Sequence, residues 1–216
     1  NSAIAAAEAG IPIIHISTDY VFAGDKPSPY VETDATGPTG VYGRSKLEGE
    51  LAVAAANSAH VILRTAWVYS SYGINFHKTM LRLGAERKLV RVVADQYGTP
   101  TYAPDIAKGI VAVARHVLQN PKTNDWRGVF HMVAGGDTTW ADFAEEIFLQ
   151  SKLNGGPFAR VERIATADYP TPAKRPKNSR LDSTKFRTVF GQDLPDWHDG
   201  VKRCVKELNV SPASEV

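Results

Sequence analysis

The sequence predicts an α/β fold, a parallel sheet covered by helices on both faces. Three observations predict it. Short apolar, β-branched runs recur along the chain at IPIIHIS, HVILRTAWVY and LVRVVAD. Stretches of helical periodicity separate them, and no internal repeat or low-complexity tract breaks the alternation. Buried parallel strands read as continuous apolar runs, and strands alternating with helices of this length imply crossover connections over both faces.

The elements follow in order. Asn1 to Gly10 (NSAIAAAEAG) reads as the tail of an alanine-rich helix closing on a glycine. IPIIHIS is the first buried strand. Thr18 to Gly40 mixes turn formers, acids and prolines and reads as a loop. Helical patterning runs from about Val41 to Asn57, and HVILRTAWVY is the next buried strand. NFHKTMLRLGAERK is an amphipathic helix and LVRVVAD a strand after it. YAPDIAKGIVAVARHVLQN is a long helix whose first turn suits Pro104 and Asp105. GVFHMVAG is a short strand, and TTWADFAEEIFLQSK a helix with Asp137 or Thr138 as its cap. From Asn154 the chain is richer in Pro, Lys and Arg. A helix near Trp197 to Leu208 closes it, before a frayed SPASEV.

Composition narrows the class. The 216 residues are 43% hydrophobic and 22% charged, ordinary for a globular protein large enough to bury a core. A net charge of +2 without a basic stripe argues against a nucleic-acid binder. The lone Cys204 rules out an internal disulfide and suits a reducing compartment. No apolar run approaches the roughly 20 residues that span a bilayer, and no signal peptide is recognisable, so a cytoplasmic protein is expected.

Gly37, Gly40 and Gly43 have the spacing of a dinucleotide loop, but YVETDAT before them is not the buried strand such a loop requires. They read as a loop entering a helix.

Tyr42 and Lys46 lie four residues apart on the helix that follows, so both side chains share a face. A phenol titrating near about 10 is a poor acid at neutral pH. An ammonium one turn away favours the phenolate, and lysine can also hold a ribose hydroxyl. Such a pair suits carbonyl reduction, where hydride reaches carbon and an acid protonates oxygen. By itself the spacing occurs on many solvated helix faces. Ser17, Thr18, Asp19 and Tyr20 stand where the first strand ends, the position at which open α/β sheets bind ligands. A hydroxyl there can reach a substrate oxygen; alternatively it satisfies its own backbone.

STDYVFAG, ETDATGPTGVYGRSKLEGE, RTAWVYS and DQYGTPTYAPDIAKGI, in this order, resemble the dTDP-4-dehydrorhamnose reductases, members of the extended short-chain dehydrogenases. The resemblance runs from Gly10 to about Phe186 and includes TTWADFAEEI and RPKNSRLDSTKF. It implies a Rossmann-like doubly wound sheet with a small α/β substrate-binding lobe. Residues 1–70 are then the later part of the dinucleotide-binding domain, and 71–216 interleave the rest of its sheet with the lobe. It implies Tyr42 as proton donor to the sugar 4-keto oxygen, Tyr42 and Lys46 as cofactor contacts with Lys46 on the nicotinamide ribose, Thr18 as hydroxyl partner and Asp19 in the sugar site. Trp67 is implied as a sugar-nucleotide contact, with core packing as its plain alternative. Ala66 departs from relatives that carry serine. Asn75 either caps its helix or faces the diphosphate, capping being the stronger reading. Gln96 and Arg175 are weaker substrate contacts, the guanidinium suiting a diphosphate by geometry.

The implied cofactor is NADPH or NADH. The glycine turn and the residue that selects the adenosine ribose are not in this sequence. About three βα units of roughly 30 residues are therefore expected ahead of Asn1, and cofactor affinity is expected to be largely lost without them. His15, His60, His77, His116, His131 and His198 show no metal-ligand spacing, and His15 reads as a satisfied core histidine. Mg²⁺ serves some members of this family at a dimer contact, but no ligands for it can be placed here, and a homodimer stays open. The expected partner is a dTDP-sugar, with no nucleic acid and no membrane. Sugar-nucleotide epimerases share the Tyr and Lys, and a regulatory subunit of methionine adenosyltransferase shares the fold; STDYVF and DQYGTPTY favour the reductase.

Overall fold

The structure, a computed structural model, describes residues 1–169 and 175–210. The SPASEV tail lies outside the described residues. The chain opens with helix α1 (Ser2–Glu8), turns at Gly10 and enters strand β1 (Ile13–Thr18). A long loop holding one turn of 3₁₀ helix at Asp19–Val21 leads to α2 (Val41–Ala56) and β2 (His60–Thr65). Then follow β3 (Val68–Tyr69), α3 (Phe76–Glu86), β4 (Leu89–Val93), β5 (Tyr97–Gly98), β6 (Thr101–Tyr102) and α4 (Ala103–Gln119). The remainder is β7 (Gly128–His131), β8 (Thr138–Thr139), α5 (Trp140–Leu153), β9 (Arg160–Ile164), α6 (Thr184–Phe190) and α7 (Trp197–Val210).

The main sheet is parallel in the order β1-β2-β7. Its register sets Ser17 against Arg64 and Thr18 against Thr65, so the carboxyl ends of β1 and β2 finish level. Side chains alternate across a strand. Ile14, Ile16, Val61 and Leu63 therefore pack with Val113 of α4 and with Phe186 and Phe190 of α6. The opposite face receives α2, through a buried two-pronged ion pair from Arg64 of β2 to Glu50 at 2.9 and 2.6 Å. A second apolar core joins α3, β4, α5 and α7 around Phe143, Ile147, Val201 and Cys204. The parallel pair β4-β9 packs there, forming a small lobe beside the main sheet.

Several elements differ from the sequence expectation. HVILRTAWVY is not one strand: Trp67 takes a left-handed backbone (φ 46°), ending β2 at Thr65 and turning the chain so that β3 pairs with β6. Its indole lies so close over Gly98 that a Cβ there would meet the ring at 2.2 Å. GVFHMVAG pairs with the sheet only over β7. The cap of α5 is Thr139, not Asp137 or Thr138. The Thr139 hydroxyl accepts from the Asp142 amide at 3.2 Å, while Thr138 pairs with Gly98 and Asp137 meets Arg180 at 3.2 Å. The segment after Asn154 holds β9 and α6, which were not expected. His15 is half-buried rather than a satisfied core residue: its buried Nε2 has no partner among the described residues. Burial, then the Lys46 charge, holds its pKa below the ordinary value.

Among the described residues no helix is long and apolar enough to cross a membrane, and no cluster of His, Cys, Asp and Glu could hold a metal ion.

Candidate active site

A cleft of about 320 Å³ opens over the carboxyl ends of β1 and β2. Thr18, Asp19, Tyr42, Lys46, Trp67 and Arg175 all line it. Six residues singled out in sequence, spread over more than 150 positions, thus meet around one space. β1 ends in Thr18, which accepts a 3.3 Å hydrogen bond from the Tyr20 amide and so starts the 3₁₀ turn. α2 begins at Gly40, whose extended backbone serves as its N-cap, and carries Tyr42 and Lys46 on its first two turns. A Cβ on Gly43 would meet the Tyr20 carbonyl oxygen at 2.2 Å, so glycine lets the helix sit directly on the 3₁₀ turn. That explains this glycine without a phosphate.

Tyr42 is 58% exposed at the cleft rim, its ring edge-on to Tyr20 with centroids 5.8 Å apart. The Lys46 ammonium donates to the Ile16 carbonyl at 3.0 Å, which fixes it beneath the end of β1. The Thr18 hydroxyl donates to Asp19 Oδ1 at 2.8 Å. Asp19 is buried, and burial raises its carboxyl to about 7, with the bond from Thr18 opposing the rise. A carboxyl raised in the folded state contributes stability that is fully present below its unfolded value and is lost as pH rises through about 7. Relative to Asp19→Asn, the wild-type protein should therefore lose about 2–4 kcal/mol between pH 4 and 8. Denaturant unfolding of both proteins across that range checks this, and a pH-independent difference would contradict it.

Trp67 stacks on Trp140, centroids 3.5 Å apart and nearly parallel, and its Nε1 donates to the Ser179 hydroxyl at 3.0 Å. Trp140 and Arg175 also line a neighbouring cleft of about 230 Å³ between α3 and β4, together with Phe76, Tyr169 and Gln96. Gln96 is buried there and donates to the Thr166 hydroxyl at 3.0 Å. Asn75 lines neither cleft. Its Oδ1 accepts from the Lys78 amide at 3.1 Å and its Nδ2 donates to the carbonyls of Ser70 and Tyr72, so its amide is engaged as a cap.

Sequence reasoning missed Trp140 and Thr65. Trp140 stands at the first turn of α5, where it reads as core, and only the fold brings it against Trp67. Thr65 sits inside a run read as continuous strand; its polar side chain at the break was the available signal. Three buried polar atoms in the cleft have no partner among the described residues: Ser17 Oγ, Asp19 Oδ2 and Thr65 Oγ1. Buried polar atoms are rarely left so, and such a group in a native cleft asks for an external partner.

A parallel sheet with a polar cleft over its strand ends defines a Rossmann-like α/β protein, a class in which ligands bind at the carboxyl edge of the sheet. The chain belongs to the family of the RmlD substrate binding domain, whose profile matches residues 1–210. It is 52% identical over 204 residues to a dTDP-4-dehydrorhamnose reductase of Sinorhizobium fredii, spanning 94% of this chain and 69% of the relative. It is 46% identical over 211 residues to the Escherichia coli K12 protein of that name, spanning 97% of this chain and 70% of the relative. A crystal structure of the Bacillus anthracis dTDP-4-dehydrorhamnose reductase in complex with NADP superposes with a TM-score of 0.83 at 36% identity, over 95% of this chain and 69% of that one.

Proposed function

We propose that this chain carries the proton-transfer and sugar-nucleotide side of an NAD(P)H-dependent reductase that converts the 4-keto group of dTDP-4-dehydro-L-rhamnose to the alcohol of dTDP-L-rhamnose. The observation that carries the proposal is the meeting of Thr18, Tyr42 and Lys46 in one cleft that Trp67 and Arg175 also line. The relatives' names support the substrate, and the NADP complex of the Bacillus anthracis protein supports the cofactor.

The residues fit a nicotinamide cofactor: a fixed ammonium stands beside buried hydroxyls that lack partners. When bound, the cofactor supplies the hydride that reaches the keto carbon. Tyr42 gives its phenolic proton to the keto oxygen. Lys46, held under β1 by the Ile16 carbonyl, presents its remaining N–H donors to the ribose and to the tyrosine oxygen. Thr18 steadies the keto oxygen beside Tyr42. Its proton is shared with Asp19, so it serves as an acceptor while Asp19 is ionised and can donate once that carboxyl is protonated. Arg175 and the Trp67–Trp140 stack guide the nucleotide toward the neighbouring cleft, where Gln96 lies.

On this reading residues 1–70 belong to the dinucleotide-binding domain, and 71–216 interleave the rest of its sheet with the substrate lobe. A cytoplasmic setting goes with it, since the lone Cys204 is buried as a free thiol. Adding dTDP-4-dehydro-L-rhamnose to the full natural protein with NADPH should deplete NADPH absorbance. Depletion that does not depend on the keto sugar, or none, would overturn the proposal.

A further inference from the structure

We propose that Ser179 is a positioning residue for the reaction, its hydroxyl fixing the Trp67 indole as the wall against which the sugar ring of the substrate is seated. The inference rests on the proposed function and extends it to a residue that lines neither cleft.

Trp67 is held in an uncommon backbone state. Its φ of 46° lies in the left-handed region, where a bulky residue persists only if its surroundings over-determine it. Several contacts do so. The Thr101 amide donates to the Trp67 carbonyl at 3.2 Å. Trp140 stacks on the indole with centroids 3.5 Å apart, and Gly98 packs so closely that a Cβ there would meet the ring at 2.2 Å. Ser179 Oγ accepts from the indole Nε1 at 3.0 Å. An indole has a single donor, so this bond is the one polar tether it can have. Stacking sets the spacing and tilt of a ring but leaves it free to slide, and offset arrangements are favoured over any single one. A hydrogen bond at the ring edge removes that freedom.

The anchor behind this bond comes from the far end of the chain and is fixed independently of the hydroxyl. Ser179 is 3% exposed. Its amide donates to the Tyr97 carbonyl, and the Tyr97 amide to the Lys177 carbonyl, both at 2.8 Å. The side chain of the adjoining Asn178 donates to the carbonyls of Lys26 and Ser28 at 2.6 and 2.8 Å. The backbone is thus pinned to β5 on one side and to the loop after β1 on the other. The hydroxyl gives its own proton to the Tyr97 carbonyl at 3.2 Å, which turns a lone pair toward the indole. Trp67 lines the cleft of Thr18, Tyr42 and Lys46, and not the neighbouring one between α3 and β4. On the proposed function the nucleotide occupies that neighbouring cleft, so a displaced indole is felt by the sugar and not by the dTDP group.

The test is equilibrium binding of dTDP-L-rhamnose and of dTDP to the full natural protein by titration calorimetry, with steady-state kinetics alongside. Ser179→Ala should raise the Kd of dTDP-L-rhamnose about tenfold, the scale of one lost hydrogen bond, and leave that of dTDP within about twofold. KM for the keto sugar should rise in step while kcat stays within about threefold, because the proton donor sits on a different element. Ser179→Cys keeps the size of the side chain and accepts only weakly, so it should behave like Ser179→Ala and serves if the alanine protein does not fold. In a Trp67→Phe background the indole donor is gone, and adding Ser179→Ala should change nothing further. Unchanged dTDP-L-rhamnose binding, an equal loss for both ligands, or a full further loss in the Trp67→Phe background would each overturn the proposal while leaving the reductase reading intact. A wild-type protein that neither binds dTDP-L-rhamnose nor reduces the keto sugar would overturn both.

Discussion

Tyr42→Phe should lower kcat by about 10²–10⁴-fold, the usual contribution of a positioned proton donor. The effect should fall on chemistry alone. Tyr42 is 58% exposed, and its contact with Tyr20 is through the ring, which phenylalanine keeps. Thermal stability should therefore stay near wild type. Steady-state kinetics beside thermal unfolding separates the two quantities. A drop of less than threefold in kcat would remove Tyr42 from the proton-transfer step and leave the cleft without a donor of suitable kind on α2.

Glu50→Ala should destabilise the protein by about 3–5 kcal/mol, because it strands the Arg64 guanidinium in the interior. Both side chains are 4% exposed, and the guanidinium also faces the Phe22 ring at 5.0 Å. For a chain of this size that corresponds to a fall in Tm on the order of 10 °C. Replacing both partners, as in Glu50→Leu with Arg64→Met, should cost much less, since no buried charge is left unpaired. The ion pair also fastens the helix that carries Tyr42 and Lys46 to the strand beside Thr18, so the Glu50→Ala protein that remains folded should lose activity as well. Calorimetry on the single and double variants tests this; a single variant as stable as the double would contradict it.

The strongest periodic elements were legible because short-range rules decide them. The amphipathic helices α3 and α4 follow from the spacing of their apolar residues, and Asn75 capping α3 follows from its side-chain chemistry. The turn at Trp67 was not legible, since a left-handed residue is usually glycine or asparagine and the conformation here is held by Trp140 and Gly98 from distant segments. The β9 strand, RVERI, escaped because it is mostly exposed and pairs only with β4, so no apolar run marks it. Strands β5, β6 and β8 have two residues each and exist only through partners. Within the site, Thr18 and Tyr42 could be named from position and spacing.

The most direct measurement transfers a label. The full natural protein is incubated with dTDP-4-dehydro-L-rhamnose and NADPH carrying deuterium at nicotinamide C4, and the product is read by proton NMR. The account predicts dTDP-L-rhamnose deuterated at sugar C4. Unreduced keto sugar, or a reduced sugar without deuterium at C4 when the transferable position is labelled, would contradict it.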